Sequence, residues 1–202
     1  MIVPAIWSQT PGPLPDMERR VCFVSGLSDP TSSALSLDQR SLLQLLPFHE
    51  SEIVNRNFPF THDARDIAQE KNIVWASLMN GWQYWRLGSP RYRKLLARHW
   101  ANLLDHTAKL YVISLSCGLE FIRIGIEAPA DAARLHVIAL GPVCRGLPDC
   151  NLTIIQGEDD WISKRFVPCS DHRIARLGHL GYTTHPQVQE ILCSIMENSI
   201  SK

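Results

Sequence analysis

Neither sign of charge prevails in this chain of 202 residues, where 20 lysines and arginines stand against 20 aspartates and glutamates. A neutral molecule has no long-range field to draw it to nucleic acid or to an anionic membrane, so either partner would need a local patch. No stretch approaches the ~18 consecutive apolar residues of a membrane-spanning helix. The first segment, Met1 to Arg20, is rich in proline and glycine and has neither a basic start nor a continuous apolar run. That argues against a signal peptide and for a cytoplasmic location. The cysteines, Cys22, Cys117, Cys144, Cys150, Cys169 and Cys193, form no C-x-x-C pair and read as reduced structural thiols. Cys144 and Cys150 would be the pair to bridge in an oxidising compartment. Also missing are G-x-x-x-x-G-K-[ST], G-x-G-x-x-G, H-E-x-x-H and any Cys/His spacing suited to zinc. Nothing therefore points to nucleotide, dinucleotide or metal chemistry, and no cofactor is expected.

What is present is an ordinary globular composition, 45% hydrophobic and 20% charged. Residues 1–20 read as an irregular segment and 21–202 as one domain, long enough to bury about 70% of its unfolded surface. Val21 to Ser25 is a short apolar run stopped by Gly26, which predicts a buried strand entering a loop. Ser36 to Leu46 has helical leucine spacing and ends at Pro47. Glu52 to Asn55 reads as a second strand. Asp63 to Arg86 and Arg91 to His106 read as helices, separated by Gly88-Ser89-Pro90. Further on come a strand at Leu110 to Ile113, a helix at Leu119 to Ile126, strands at Leu135 to Leu140 and Leu152 to Ile155, and a final helix from Pro186 to Glu197. Apolar strands alternating with helices predict an α/β fold: a mostly parallel sheet with helices on both faces, a three-layer sandwich. Ligands bind such sheets beyond the carboxyl ends of the strands.

One such end carries chemistry. The strand Leu110 to Ile113 runs into Ser114-Leu115-Ser116-Cys117-Gly118 and then into a helix. The spacing is that of the nucleophile elbow G-x-S-x-G, with Ser114 at the first glycine. The turn needs small residues two places either side of its serine, because strand and helix approach closely there. Downstream, Ile154 to Ile162 is an apolar strand followed by Gly157 and the acids Glu158, Asp159 and Asp160. His179 stands in Leu177-Gly178-His179-Leu180-Gly181 ahead of the last helix. In these four places (Val21 to Asp29, Leu110 to Gly118, Leu152 to Ile162, Gly178 to Gly181) the chain resembles a compact α/β-hydrolase-fold serine hydrolase, whose triad follows the order Ser, Asp, His.

The resemblance implies roles. Ser116 is the nucleophile, His179 the base that takes its proton, and Asp160 the carboxylate that orients the imidazole, with Asp159 as fallback. His172 and His185 lie nearby with similar credentials. The oxyanion would be bound by the backbone N–H of Cys117, after the nucleophile, and by that of Leu27 after the first strand, with Ser28 as substitute for Leu27. The ten residues Gly141 to Cys150 are too few for a cap domain, so any roof must come from the helical region 65–107, a possible lid rich in Trp75, Trp82, Tyr84, Trp85, Tyr92 and Trp100. A helix pair docked on the sheet is the alternative there. Residues 75–109 carry Arg86, Arg91, Arg93, Lys94, Arg98 and Lys109 against Asp105 alone. That run is either a solvated helix face or a patch for the phosphates of a coenzyme A thioester or an acidic acyl-carrier protein. The expected activity is hydrolysis of a small-molecule carboxylic ester or thioester through an acyl-enzyme. The alternatives are a catalytically silent binding protein of the same fold, or acyl transfer by the same triad.

Overall fold

The computed structural model describes residues 14–26, 32–59, 89–126 and 128–200. Within them the strands are β1 (Met17–Val24), β2 (Ile53–Asn57), β3 (Thr107–Leu115), β4 (Leu135–Leu140), β5 (Asn151–Gly157) and β6 (His172–Ile174). The helices are α1 (Leu37–Leu45), α2 (Pro90–Asp105), α3 (Gly118–Gly125), α4 (Pro129–Ala133), α5 (Trp161–Phe166) and α6 (Pro186–Ile200). All six strands join one sheet in the order β2-β1-β3-β4-β5-β6, and every neighbouring pair is parallel.

The period of two along each strand divides the core into two apolar layers. Cys22, Val24, Leu110, Val112, Val137 and Ala139 point to one face, where they meet Leu96, Trp100, Leu103 and Leu104 of α2 and Leu119, Phe121 and Ile122 of α3. Val21, Phe23, Tyr111, Ile113, Ile138 and Leu140 point to the other, against Leu42 and Leu43 of α1 and Val188, Leu192 and Met196 of α6. Because both faces are covered, the strands carry continuous apolar runs rather than alternating ones. The protein is a three-layer α/β sandwich.

Local chemistry sets the element ends. Ser36 caps α1 through a box in which its Oγ accepts the Gln39 N–H at 3.2 Å while Gln39 Oε1 accepts the Ser36 N–H at 3.0 Å. Pro90 stands in the first turn of α2, where its missing N–H costs nothing. Gly125 ends α3 where a Cβ would lie 2.1 Å from Trp100 Cδ1, so the absent side chain is what lets the indole of α2 lie on α3. The indole N–H is satisfied by the Phe121 carbonyl at 3.2 Å.

Of the span 65–107 read as a possible lid, the part Pro90–Asp105 is a helix docked on the sheet, with Tyr92, Leu96 and Trp100 buried. Residues 60–88, with the helix read over Asp63 to Arg86 and with Trp75, Trp82, Tyr84, Trp85 and Arg86, lie outside the described residues, as do 1–13 of the N-terminal segment. No helix among the described residues is long and apolar enough to cross a membrane. All six cysteines are free thiols, Cys144 and Cys150 included.

Candidate active site

Sequence order along the sheet reverses between β1 and β3, since β1 has β2 on one side and β3 on the other. A crevice opens at such a point beyond the carboxyl ends of the strands. Ser25 and Gly26 leave β1 on one side of it, and Ser116 and Cys117 leave β3 on the other.

Ser116 sits in the left-handed region at φ 54°, a conformation that costs a non-glycine residue about 1–3 kcal/mol. Its neighbours hold it there. The Ser116 N–H donates to the Leu140 carbonyl at 3.0 Å, and its own carbonyl accepts the Val143 N–H at 2.9 Å. Thus the irregular link Gly141 to Cys150 braces the turn. Small residues flank the serine for the reason that steric crowding dictates: a Cβ on Gly118 would lie 2.1 Å from the Val24 carbonyl oxygen, and Ser114 is wholly buried between β1 and β4.

The structure brings the three triad candidates together from three strand ends. Ser116 Oγ lies 2.9 Å from His179 Nε2, and His179 Nδ1 lies 3.0 and 2.9 Å from the two carboxylate oxygens of Asp160. Burial increases along this line. Ser116 is half-buried, the His179 side chain is 18% exposed, and Asp160 is fully buried. Asp160 is also the N-cap of α5, accepting the Ser163 N–H on Oδ1 at 2.9 Å, and it accepts the Tyr182 hydroxyl on Oδ2 at 2.7 Å. Burial alone would raise its carboxyl strongly. The hydrogen bonds from His179, Ser163 and Tyr182 outweigh burial and hold it below the ordinary aspartate value. Asp160 is therefore an anion placed beside an imidazole.

The other candidates are elsewhere. Asp159 is exposed on the turn after β5, His172 lies within β6, and His185 stands just ahead of α6. The Cys117 N–H precedes the first hydrogen-bonded turn of α3, where helix N–H groups have no acceptor within the helix. Its thiol is pushed up to about 12 by burial, so it stays neutral. Leu27 and Ser28 lie outside the described residues. The loop entering them is pinned by buried Asn57, whose Oδ1 accepts the Ser25 N–H at 2.8 Å and whose Nδ2 donates to the carbonyls of Ser25 and Gly26 at 3.3 and 3.4 Å. Among the described residues no group of three His, Cys, Asp or Glu side chains is placed to hold a metal ion.

Sequence reasoning missed Asn57, Tyr182 and the buried Glu120. Glu120 ties α3 to the Gly141–Cys150 link. It accepts Arg123 Nε and Nη2 at 2.9 and 2.6 Å, the Arg145 N–H at 3.1 Å and the Cys144 thiol at 3.1 Å. Burial pushes its carboxyl up, and these donors more than offset that, leaving it lowered. A carboxyl lowered on folding contributes stability that is complete above its unfolded value, near pH 4, and is lost as pH falls through the folded one. Urea midpoints should therefore hold from about pH 7 to 5 and decline below about pH 4. Glu120→Gln should lose roughly 1–3 kcal/mol at neutral pH and show a shallower acid decline. An unchanged acid slope in that variant would remove Glu120 as a contributor.

Of three comparisons with known proteins, the one with solved structures bears on architecture. No protein-family model matches the sequence, and no curated protein matches it. Among solved structures, the chain is similar to a dienelactone hydrolase from Anabaena variabilis, with a TM-score of 0.51 and 12% identity over 92% of this chain and 87% of that one. The fold is that of the α/β-hydrolases.

Proposed function

We propose that the protein is a serine hydrolase that cleaves a carboxylic ester or thioester through an acyl-enzyme on Ser116. The observation that carries this reading is the unbroken relay from Ser116 Oγ to His179 Nε2, and from His179 Nδ1 to the buried Asp160 carboxylate. In the first half-reaction His179 Nε2 takes the hydroxyl proton as Ser116 Oγ bonds to the acyl carbon. The tetrahedral oxyanion collapses, the bond to the alkoxide or thiolate breaks, and the imidazolium returns the proton to that leaving group. In the second half-reaction water takes the place of the alcohol, His179 accepts its proton, and the acid departs as the Ser116 hydroxyl re-forms. Asp160 stays ionised throughout and stabilises the imidazolium.

The Cys117 N–H, on the residue after the nucleophile, is the first oxyanion donor, and the N–H of Leu27 is assigned as the second from its place in the chain. A single donor of this kind is worth about 2.7–4 kcal/mol in the transition state. The name of the Anabaena neighbour, a hydrolase of a lactone and hence of a cyclic ester, belongs to the same class of bond.

The test is turnover of p-nitrophenyl esters and acyl thioesters of graded chain length by the purified protein. Release of product well above the Ser116→Ala background supports the reading, and a folded protein inert to all of them opposes it. The thioester arm has its own discriminator. α2 leads directly into β3, so it runs antiparallel to the strands and its first turn lies toward the edge that holds Ser116. Arg91, Arg93 and Lys94 are exposed there. Replacing Arg91 and Arg93 by glutamate should raise KM for a coenzyme A or acyl-carrier thioester and leave KM for a small neutral ester unchanged. Equal effects on both substrates would assign these residues to an ordinary solvated helix face.

A further inference from the structure

We infer that Tyr182 is a positioning residue of the triad: its hydroxyl fixes the plane of the Asp160 carboxylate against His179 and limits how strongly that carboxylate stabilises the imidazolium. The catalytic consequence rests on the hydrolase reading above; the effect on His179 does not.

Each oxygen of Asp160 has one partner besides the imidazole. Oδ1 accepts the Ser163 N–H at 2.9 Å, and Oδ2 accepts the Tyr182 hydroxyl at 2.7 Å. With both oxygens held, the carboxylate lies with the two of them almost equidistant from His179 Nδ1, at 3.0 and 2.9 Å. The tyrosine is itself held. It is fully buried, and its oxygen accepts the Gly157 N–H at 2.8 Å, which polarises the phenol and strengthens it as a donor. The pocket for this pair needs a glycine. Gly141 has φ +51°, and a Cβ there would lie 2.5 Å from Tyr182 Cε2 and 2.7 Å from Asp160 Oδ2. Burial first, and then the Asp160 carboxylate, raise the phenol above its ordinary value, so it remains protonated and donates.

The direction of the effect follows from charge. A hydrogen bond to Oδ2 disperses the negative charge that would otherwise act on the imidazolium. Removing the hydroxyl leaves more of that charge for His179 and makes the imidazole easier to protonate. The titratable groups with the largest effect on Asp160 are His179 and Tyr182, and Asp160 is the one that acts on Tyr182. The elements that carry the triad and Tyr182 also bear Cys117 beside Ser116 on the elbow, Glu158 and Asp159 exposed on the β5 turn, Lys164 and Arg165 on α5, and His185 before α6. All stay the same across the variants below, so a difference between variants reports Tyr182.

The experiment is an NMR titration of the His179 imidazole in the full chain, its resonance identified by its loss in His179→Ala. The wild type is compared with Tyr182→Phe and with a chain carrying 3,5-difluorotyrosine at position 182, a more acidic phenol and so a stronger donor. The midpoint should rise in Tyr182→Phe and fall in the fluorinated protein. The acid limb of kcat/KM should move in the same directions, with kcat of Tyr182→Phe down roughly ten-fold or more and KM retained. Coincident midpoints, or shifts of both variants in one direction, would overturn the inference. Should Tyr182→Phe fail to fold, the fluorinated protein alone decides, since an unmoved midpoint there has the same meaning. Midpoints that move as stated in a protein without esterase activity would overturn the hydrolase reading and leave the positioning role standing.

Discussion

Ser116→Ala should lower kcat for the best ester substrate by on the order of a million-fold while leaving the fold intact. The size follows from what the side chain does. In the proposed reaction the acyl-enzyme forms on Oγ, so without it none forms, and the imidazole 2.9 Å away has no hydroxyl to deprotonate. Residues that act as one unit do not add. His179→Ala should cost about as much as Ser116→Ala, and the double variant should be no slower than either single one. Thermal unfolding should barely change in Ser116→Ala, and relief of the positive φ is not expected to stabilise it, because alanine at φ 54° is strained just as serine is. Steady-state kinetics of the three variants on one ester checks this. Retention of about a tenth of wild-type kcat in Ser116→Ala would place the chemistry elsewhere, and full additivity in the double variant would separate His179 from the serine.

Gly118→Ala should be strongly destabilising. The added Cβ would lie 2.1 Å from the Val24 carbonyl oxygen and 2.8 Å from its carbon, both backbone atoms of a central strand that cannot swing aside. Either α3 lifts away from β1, opening the packing of Leu119 and Ile122, or the end of β1 moves and takes the Ser25–Gly26 turn with it. Overpacking of this kind costs about 3 kcal/mol or more, equivalent to a fall in Tm of roughly 6–12 °C for a chain of this size. Gly146→Ala is the matched control, because the nearest atom to its Cβ would be Arg123 Cδ at 3.8 Å. Calorimetry of the two variants should show a large loss in the first and almost none in the second. A Gly118→Ala protein as stable as wild type would mean that the elbow does not require the close approach seen here.

Most of the sheet was legible because it is buried on both faces. Runs such as Val21-Cys22-Phe23-Val24 and Leu135 to Leu140 are almost wholly apolar; the structure keeps the second as it stands and starts the first at Met17, so the last residues of the segment 1–20 read as irregular belong to β1. Three elements escaped for lack of a signal. β6 is three residues long with two of them polar, α4 spans five residues, and α5 spans six and opens on the exposed Trp161. At the site, Ser116, Asp160 and His179 were singled out by the resemblance to the α/β-hydrolases carried by residues at strand ends, and the structure brings these three within hydrogen-bond distance of one another and leaves His172 and His185 elsewhere. Asp160 rather than Asp159 faces the imidazole because it turns inward as the cap of α5, and a helix that short has no periodicity to announce its cap. Tyr182, Asn57 and Glu120 were illegible for a different reason. Tyr182 and Asn57 meet partners 22 and 32 residues away, and Glu120, beside its local partner Arg123, meets Cys144 and Arg145 24 and 25 residues away; a single tyrosine, asparagine or glutamate in a row carries no mark of such distant contacts.

The most direct test of the central claim is labelling by a fluorophosphonate, which bonds covalently to an activated serine and displaces fluoride. Intact mass of wild-type, Ser116→Ala and His179→Ala protein after equal exposure gives the answer. The triad reading predicts one adduct on the wild type and none on either variant. A folded wild-type protein that stays unlabelled, or an adduct that survives in Ser116→Ala, would contradict it, the first result favouring a catalytically silent member of the fold and the second a different nucleophile.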